Sequence, residues 1–239
     1  MFTLGHFVWL FIIFLLVILA LLLTKRVNFN VKKVEFVVVI LLILLKVVHL
    51  AVSMKELPDG GMVLHQTQLS FHLCSIMIYS AIAAYFIKNE QLKSVLKSFM
   101  VPCMVIGALL ALLIPTEGVD PSNLRVWQYM LIHGVLVYYG FYLMIIEKVD
   151  LSLKVYFRNL ALLVIITLLA MFMNSVLEQY GTNFLFLRQP PMPNLPILNL
   201  NNGWYIYFIS LMTIAVILVG IVHLPFIINK SRKQKNNQF

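Results

Sequence analysis

The chain holds two cysteines and six histidines, and the way these fall relative to its amides and cations decides what chemistry it can support. A thiol reacts as its thiolate, so a cysteine in apolar surroundings needs a base within hydrogen-bond reach. Cys74 follows His72 by two residues, and a second polar run holds Gln128, Tyr129 and His133, with Tyr129 and His133 at i, i+4 on one helical face. Lys46 and His49 share a face three residues apart, and Asn174, Asn183 and Arg188 follow late in the chain. Together these types suit acyl transfer: a cysteine nucleophile, a histidine base, amides to hold a developing oxyanion, and cations for a phosphate. Taken singly, each serves equally well as a hydrogen-bonding group between helices, and Lys46 also as a side chain snorkelling to the headgroups.

The elements that must position these residues follow from solvent. Apolar types make up 62% of 239 residues and charged types 11%, against the roughly 25% charged of a soluble domain. A membrane core about 30 Å thick needs about 20 apolar residues per helix, and the apolar runs recur at that length. Seven are read: Leu4 to Leu23, Val34 to Ser53, Gln66 to Ile87, Phe99 to Ile114, Val126 to Ile146, Val155 to Val176, and Trp204 to Ile228. The expected fold is all-α, a polytopic bundle of seven transmembrane helices forming one domain over residues 1–229. Pro102 is expected in the first turn of the fourth helix, where its missing N–H costs little.

Lys and Arg are retained on the cytoplasmic side of membranes. With the N-terminus outside, fourteen of the 18 Lys and Arg residues fall in the first, third and fifth loops and the tail, and only Lys55, Arg125 and Arg188 in the opposite loops. The chain is therefore expected to be multi-pass in the cell membrane, with a cytoplasmic C-terminus and a basic, disordered tail over 230–239. The +9 net charge is thereby an orientation signal beside anionic lipid, and no nucleic-acid partner is expected. The sixth loop, 178–203, carries Pro190, Pro191, Pro193 and Pro196 and cannot be helical throughout. Its apolar run from Phe184 to Leu187 fits a loop that caps the bundle or lies on the membrane, or one that merely tethers two helices.

Topology turns sequence position into depth. His49, His72, Cys74, His133 and Asn174 fall in the outer half of the bilayer, with Cys74 and His133 roughly 10 Å below its outer edge at 1.5 Å per residue. Intramembrane polar groups usually face a cavity, a partner or a pathway, so a polar pocket toward the outer leaflet is expected. His72 and Cys74 stand about 200° apart on a helix, so both reach one substrate only if the helix is broken there. Cys103, expected near the inner edge of the fourth helix about 10 Å from Cys74, is too far for a disulfide. His6, His65 and His223 are expected to bond between helices or lie at the surface.

Three ordered segments carry a family resemblance: Ser70-Phe71-His72-Leu73-Cys74-Ser75, then Gln128-Tyr129 with His133-Gly134, then Asn174 followed by Gly181-Thr182-Asn183-Phe184 and Arg188. The set resembles the YwaF family of bacterial integral membrane proteins, from the first segment to Pro225. That family is related to eukaryotic TMEM-type membrane acyltransferases that move fatty acyl chains onto lysophospholipids with one cysteine and one histidine. The resemblance implies Cys74 as nucleophile and His133 as base, with a membrane phospholipid or lysophospholipid as partner and no cofactor. Phe184 stands where the family leads one to expect Tyr, and Gly203-Trp204-Tyr205 lacks its Trp-Pro.

Substrate or oxyanion contacts then fall to Gln128, Asn174, Asn183 and Arg188, with Lys46, His49 and His72 behind them, and Glu178 or His72 as groups able to orient His133. The rival class is a transporter or lipid-moving protein with a polar pocket in the outer half of the bilayer; the absence of a repeat and of intramembrane Asp or Glu weighs against ion coupling. A metal on His49, His72 and His133 is not expected, since no helical His-x-x-x-His pair or carboxylate accompanies them. No oligomeric state is read from the sequence, and a structural partner role is the remaining alternative.

Overall fold

A helix in hydrocarbon must close its backbone hydrogen bonds within itself, which sets both the length and the apolar character of a spanning segment. The computed structural model describes residues 3–27, 29–56, 62–192 and 195–236, with side chains through 229. Its helices are α1 (Leu4–Val27), α2 (Val31–Ser53), α3 (Leu73–Phe86), α4 (Glu90–Pro102), α5 (Ala108–Leu113), α6 (Leu124–Phe141), α7 (Leu153–Val176) and α8 (Trp204–Asn236). A π-helical turn, Cys103–Gly107, joins α4 to α5, and a second, Tyr142–Ile146, prolongs α6. Six spans are long and apolar enough to cross a membrane: Leu4–Val27, Val31–Ser53, Glu90–Leu113, Leu124–Ile146, Leu153–Val176 and Trp204–Asn229. The seventh apolar helix, α3, has 14 residues. Two three-residue strands, β1 (Met54–Glu56) and β2 (Met62–Leu64), pair antiparallel after α2. This is an all-α integral membrane protein.

Two segments differ from their expected bounds. The third was read as helical from Gln66, yet α3 begins at Leu73, preceded by one 3-10 turn, Gln66–Gln68, and extended backbone at His72. Local polar bonds win over the helix there: His65 Nδ1 accepts from the Thr67 amide at 3.4 Å and meets its hydroxyl at 2.8 Å, while the Ser70 and Tyr79 hydroxyls meet at 3.0 Å. The fourth was read as starting at Phe99, but its helix starts at Glu90. Asn89 caps it by accepting from the Leu92 amide at 3.0 Å, and Glu90 complements the dipole in its first turn. Pro102 is thus the thirteenth residue of the span (102 − 90 + 1), not in its first turn, and the π turn begins directly after it. A proline in a helix interior deletes a backbone bond and crowds the preceding turn, and a shift of register accommodates it. The helical backbone of α8 also runs on through Asn236, so of the tail only residues 237–239 lie outside the described residues, as do Pro193 and Asn194 of the sixth loop.

The chain divides into two units, Met1–Val149 and Asp150–Phe239. In the first, α6 packs against α1, α2, α5 and the π turn of residues 103–107. Its glycines allow that approach: a Cβ on Gly140 would lie 3.0 Å from Met104 Cβ and 3.1 Å from the Val105 amide, and one on Gly134 would lie 3.0 Å from Ile13. Small residues at such crossings let membrane helices gain dispersion contacts that lipid would otherwise supply. Leu42, Met77, Ala81, Met100, Leu112, Met130 and Leu136 are fully buried around it. His6 Nε2 lies 2.9 Å from the Leu112 carbonyl and, because a carbonyl only accepts, carries the proton that ties α1 to α5. Lys97 pairs with Glu35 at 2.5 Å and with Glu147, joining α2, α4 and the end of α6. Glu35 and Lys97 are both inside spans and nearly fully buried, so the bundle does hold an intramembrane acid, contrary to the sequence expectation.

In the second unit α7 packs on α8. Leu151 accepts from His223 Nδ1 at 3.0 Å, which leaves Nε2 to accept from Asn159 Nδ2 at 3.2 Å. His6 and His223 therefore bond between elements, as their sequence contexts suggested. Of the buried charges, the Lys97 group gives the sharpest test. Replacing Lys97 with Met leaves Glu35 and Glu147 facing each other without a cation, which is expected to cost about 3–5 kcal/mol and lower the thermal midpoint in detergent. A midpoint equal to wild type would show that the two carboxylates neutralise themselves by holding a proton.

Candidate functional site

The break before Leu73 governs the candidate site. His72 is the N-cap of α3, with φ −76 and ψ 146, so Cys74 is the second residue of a new helix rather than the middle of a continuous one. The 200° separation that would have parted two residues of one helix no longer applies. His72 makes no side-chain capping bond to α3. A helix start leaves its first amides without partners inside the helix, here those of Leu73, Cys74 and Ser75, while Ile76 N is satisfied by the His72 carbonyl at 3.1 Å.

Two further helices of the first unit, α2 and α6, pack against α3. From α2, Lys46 Nζ donates to Ser75 Oγ at 3.3 Å. His49, one turn along the same face, is an electrostatic neighbour of His72, Lys46 and Arg125. From α6, Gln128 Nε2 donates to the Leu45 carbonyl at 3.4 Å, which pins α6 to α2. Tyr129 packs its ring on His133, with centroids 4.3 Å apart and planes at 46°. Tyr129 is also an electrostatic neighbour of Cys74, and His133 one of His49. Lys46, His49, His72, Cys74, Gln128 and His133 thus belong to one neighbourhood of the first unit.

His133 has a defined tautomer. Its Nδ1 lies 2.7 Å from the Tyr129 carbonyl, so Nδ1 carries the proton and the neutral ring keeps its lone pair on Nε2. The group that orients His133 is a backbone carbonyl of its own helix. Glu178 instead holds Arg188, at 2.6 Å, within the second unit. Tyr129 is the residue to which sequence reasoning gave too little weight. Its hydroxyl donates to the Ala111 carbonyl at 2.8 Å, which fixes the ring that packs on His133. The i, i+4 spacing of Tyr129 and His133 was the available signal. Ser75, the partner of Lys46, had none beyond its place next to Cys74.

Both cysteines are free thiols, Cys74 half-buried and Cys103 buried. Cys103 was expected near one edge of its helix. It is instead the fourteenth residue of the Glu90–Leu113 span (103 − 90 + 1), because that helix starts nine residues earlier than read (99 − 90), and it is an electrostatic neighbour of Cys74. Among the described residues no group of three His, Cys, Asp or Glu side chains is arranged to hold a metal ion.

The remaining candidates lie in the second unit, where they build the sixth loop. Asn174 uses both ends of its amide on one residue: Nδ2 donates to the Phe184 carbonyl at 3.0 Å and Oδ1 accepts from the Phe184 amide at 2.8 Å. Asn183 Oδ1 accepts from the Arg188 amide at 3.0 Å, and its Nδ2 donates to the Gln189 carbonyl at 2.9 Å. Trp204 Nε1 donates to the Leu187 carbonyl at 2.8 Å, and the Tyr207 hydroxyl donates to the Phe186 carbonyl. The loop therefore folds onto α7 and α8 rather than acting as a loose tether, with Phe184 fully buried and Leu185 and Phe186 held at φ 55. Arg188, Asn174, Ser175 and Trp204 line a groove of about 390 Å³ beside it. Asn174→Ala takes the side-chain acceptor from the buried Phe184 amide and leaves the Phe184 carbonyl with the Leu187 amide at 3.3 Å, and is expected to cost about 2 kcal/mol. Limited proteolysis within 178–203 should accelerate accordingly, and an unchanged cleavage rate would show that the loop is held by its apolar contacts alone.

No curated protein and no solved structure matches the chain. The model of the TMEM164 family matches residues 1–223, which takes in both units, the broken start of α3, the α6 cluster and the folded sixth loop. The TMEM relationship implied by the three ordered segments thus rests on nearly the whole chain, and this multi-pass membrane protein belongs to the TMEM164 family.

Proposed function

We propose that this protein is a thiol-dependent membrane acyltransferase of the YwaF type that moves a fatty acyl chain between phospholipid and lysophospholipid. The observation that carries the reading is the helix break, which puts Cys74 at the second position of α3, a helix packed against both α2 and α6, and on α6 the Tyr129 ring packs on His133. His133 Nε2 takes the thiol proton, and the Cys74 sulfur attacks the ester carbonyl of a donor phospholipid. The ester C–O bond breaks, the lysolipid leaves with the proton from His133, and the acyl chain stays as a thioester. His133 then takes the proton of an acceptor hydroxyl, whose oxygen attacks the thioester. The thiolate leaves and regains its proton from His133.

The developing oxyanion needs fixed donors close to the sulfur. The amides of Leu73, Cys74 and Ser75 at the start of α3 are of that kind, since a helix N-terminus favours negative charge. Gln128 is a further candidate in the same neighbourhood, while the side chains of Asn174 and Asn183 are used in the bonds of the sixth loop. Lys46 supplies a cation on the Ser75 side and Arg188 one beside the second-unit groove, both suited to lipid phosphate. The N-terminus-out orientation read from the basic residues would place this chemistry in the extracytoplasmic leaflet.

A transport or lipid-moving reading is favoured by one feature, the interrupted helix, which such proteins use to line a pathway. Both readings meet one experiment. In liposomes holding labelled lysolipid, Cys74→Ala and His133→Gln are expected to lower acyl exchange at least about a thousandfold, while Cys103→Ser keeps it. Unchanged exchange by Cys74→Ala overturns the thioester route. Lipid movement by wild type and by the Cys74→Ala, His133→Gln double variant at equal rates, with no exchange in either, turns the assignment to transport.

A further inference from the structure

The end of the first unit where α2 starts and α3 finishes carries a groove that the acyl-transfer reading does not use. Lys32, Lys33, Phe36, Val37 and Tyr85 line an open space of about 440 Å³. On α2, Phe36 stands four residues after Lys32 and three after Lys33, and Val37 four after Lys33, so the two lysines and the two apolar side chains share one side of the helix. Tyr85 forms the facing wall from α3, with its ring 6.2 Å from that of Phe36 at 45°. Phe36 and Val37 are 50% and 54% exposed. Along this face a pair of ammonium groups thus gives way, within one helical turn, to open apolar surface.

The charge of the lysine pair is not answered by an acid among the described residues. The nearest acid in sequence, Glu35, is buried and pairs with Lys97. The backbone amides at this helix start are also occupied: Asn30 Oδ1 accepts from Lys32 N at 2.9 Å, and the Asn30 carbonyl accepts from Lys33 N at 2.9 Å. Attraction for an anion therefore rests on the two side chains, reinforced by Lys25 and Arg26 in the last turn of α1. A free anion would use the ammonium groups and leave the aromatic and aliphatic wall in contact with nothing. A ligand with an anionic phosphate at one end and hydrocarbon at the other uses both.

We infer that the groove between the first turns of α2 and the end of α3 is a binding site for an anionic phospholipid, with its phosphate on Lys32 and Lys33 and an acyl chain along Phe36, Val37 and Tyr85. Lysine suits this role because an ammonium holds phosphate as a point charge without a fixed fork geometry. Basic pockets between membrane helices are a known setting for such headgroups. The inference is independent of the acyl-transfer reading, since none of its five residues has a part there.

The test is retention of phosphatidylglycerol against phosphatidylcholine by the full chain, titrated in nanodiscs and counted by native mass spectrometry. Wild type should keep phosphatidylglycerol preferentially. Lys32→Gln and Lys33→Gln should each weaken that retention about fivefold, as expected for one lysine near an anionic headgroup. The Lys32→Arg, Lys33→Arg double variant should keep it, and Phe36→Ala should weaken it at unchanged charge. A Lys32→Gln, Lys33→Gln double variant should lose retention, whereas a Lys25→Gln, Arg26→Gln variant, matched to it in charge, should keep most of it. Equal losses from both charge-matched pairs would overturn the site in favour of a diffuse surface field. Equal retention of phosphatidylcholine would overturn it too, as would competition by glycerol phosphate or inorganic phosphate, which would mark a soluble-phosphate site. Acyl exchange by Cys74 is expected to persist in all of these variants, so failure of either reading is distinguishable from failure of the other.

Discussion

In hydrocarbon a peptide group has no water to bond, so every interruption of a helix must be covered by protein or line a polar cavity. The architecture of the first unit depends on that constraint. Its three departures from α-helix, before Leu73, at Cys103–Gly107 and at Tyr142–Ile146, lie on α3, on the α4–α5 span and on the end of α6. These are elements that pack against one another, and the span from Glu90 to Leu113 and that from Leu124 to Ile146 are the two most buried of the six. By contrast α1, α2 and the two spans of the second unit bury few of their side chains inside the protein, as lipid-facing helices must. Irregular backbone is confined to where neighbours can cover it.

The same constraint explains how the polar side chains are used. His6, Asn159, His223 and Asn174 all meet backbone carbonyls, amides or each other across elements, and so replace bonds that water would otherwise supply. Lys97 answers two carboxylates at the shared end of α2, α4 and α6. What distinguishes the Cys74 neighbourhood is that its groups are not all consumed in this way. His133 keeps Nε2 for a proton, and α3 keeps its first amides without a capping side chain. The TMEM164 family match spans the break before Leu73 together with the α2 and α6 segments packed against α3.

The first unit has two ends with different chemistry. One holds the histidines, Cys74 and Lys46 around the start of α3. The other gathers Lys25, Arg26, Lys32 and Lys33 at the turn between α1 and α2, above an aromatic and aliphatic wall. The short length of α3, 14 residues, links them, because its first turn belongs to one neighbourhood and Tyr85 near its last to the other.

Much of this was legible in the residues themselves. Long apolar runs in the chain could only be spanning helices, because nothing but lipid suits so many exposed apolar side chains, and six of the seven runs reappear as spans within a few residues or with an earlier start. The Tyr129–His133 spacing on one helical face, and the inability of the 178–203 segment to be helical, also followed from local rules. What composition could not reveal was where local polar bonds beat helix formation. Gln66 to Ile87 reads as one run by hydropathy, yet His65, Thr67 and Ser70 find partners of their own and the helix begins only at Leu73. Glu90, Lys93 and Lys97 read as loop charges, yet the pairing of Lys97 with Glu35 and Glu147, residues distant in sequence, makes them part of a buried helix. The loop amides are the same case, since Asn174 meets Phe184 only once the chain has turned back on itself. Solvent preference is a property of each residue and its near neighbours, so sequence alone determined which segments enter the membrane. Whether a polar group is satisfied depends on partners brought from elsewhere in the chain, and that only the tertiary structure decided.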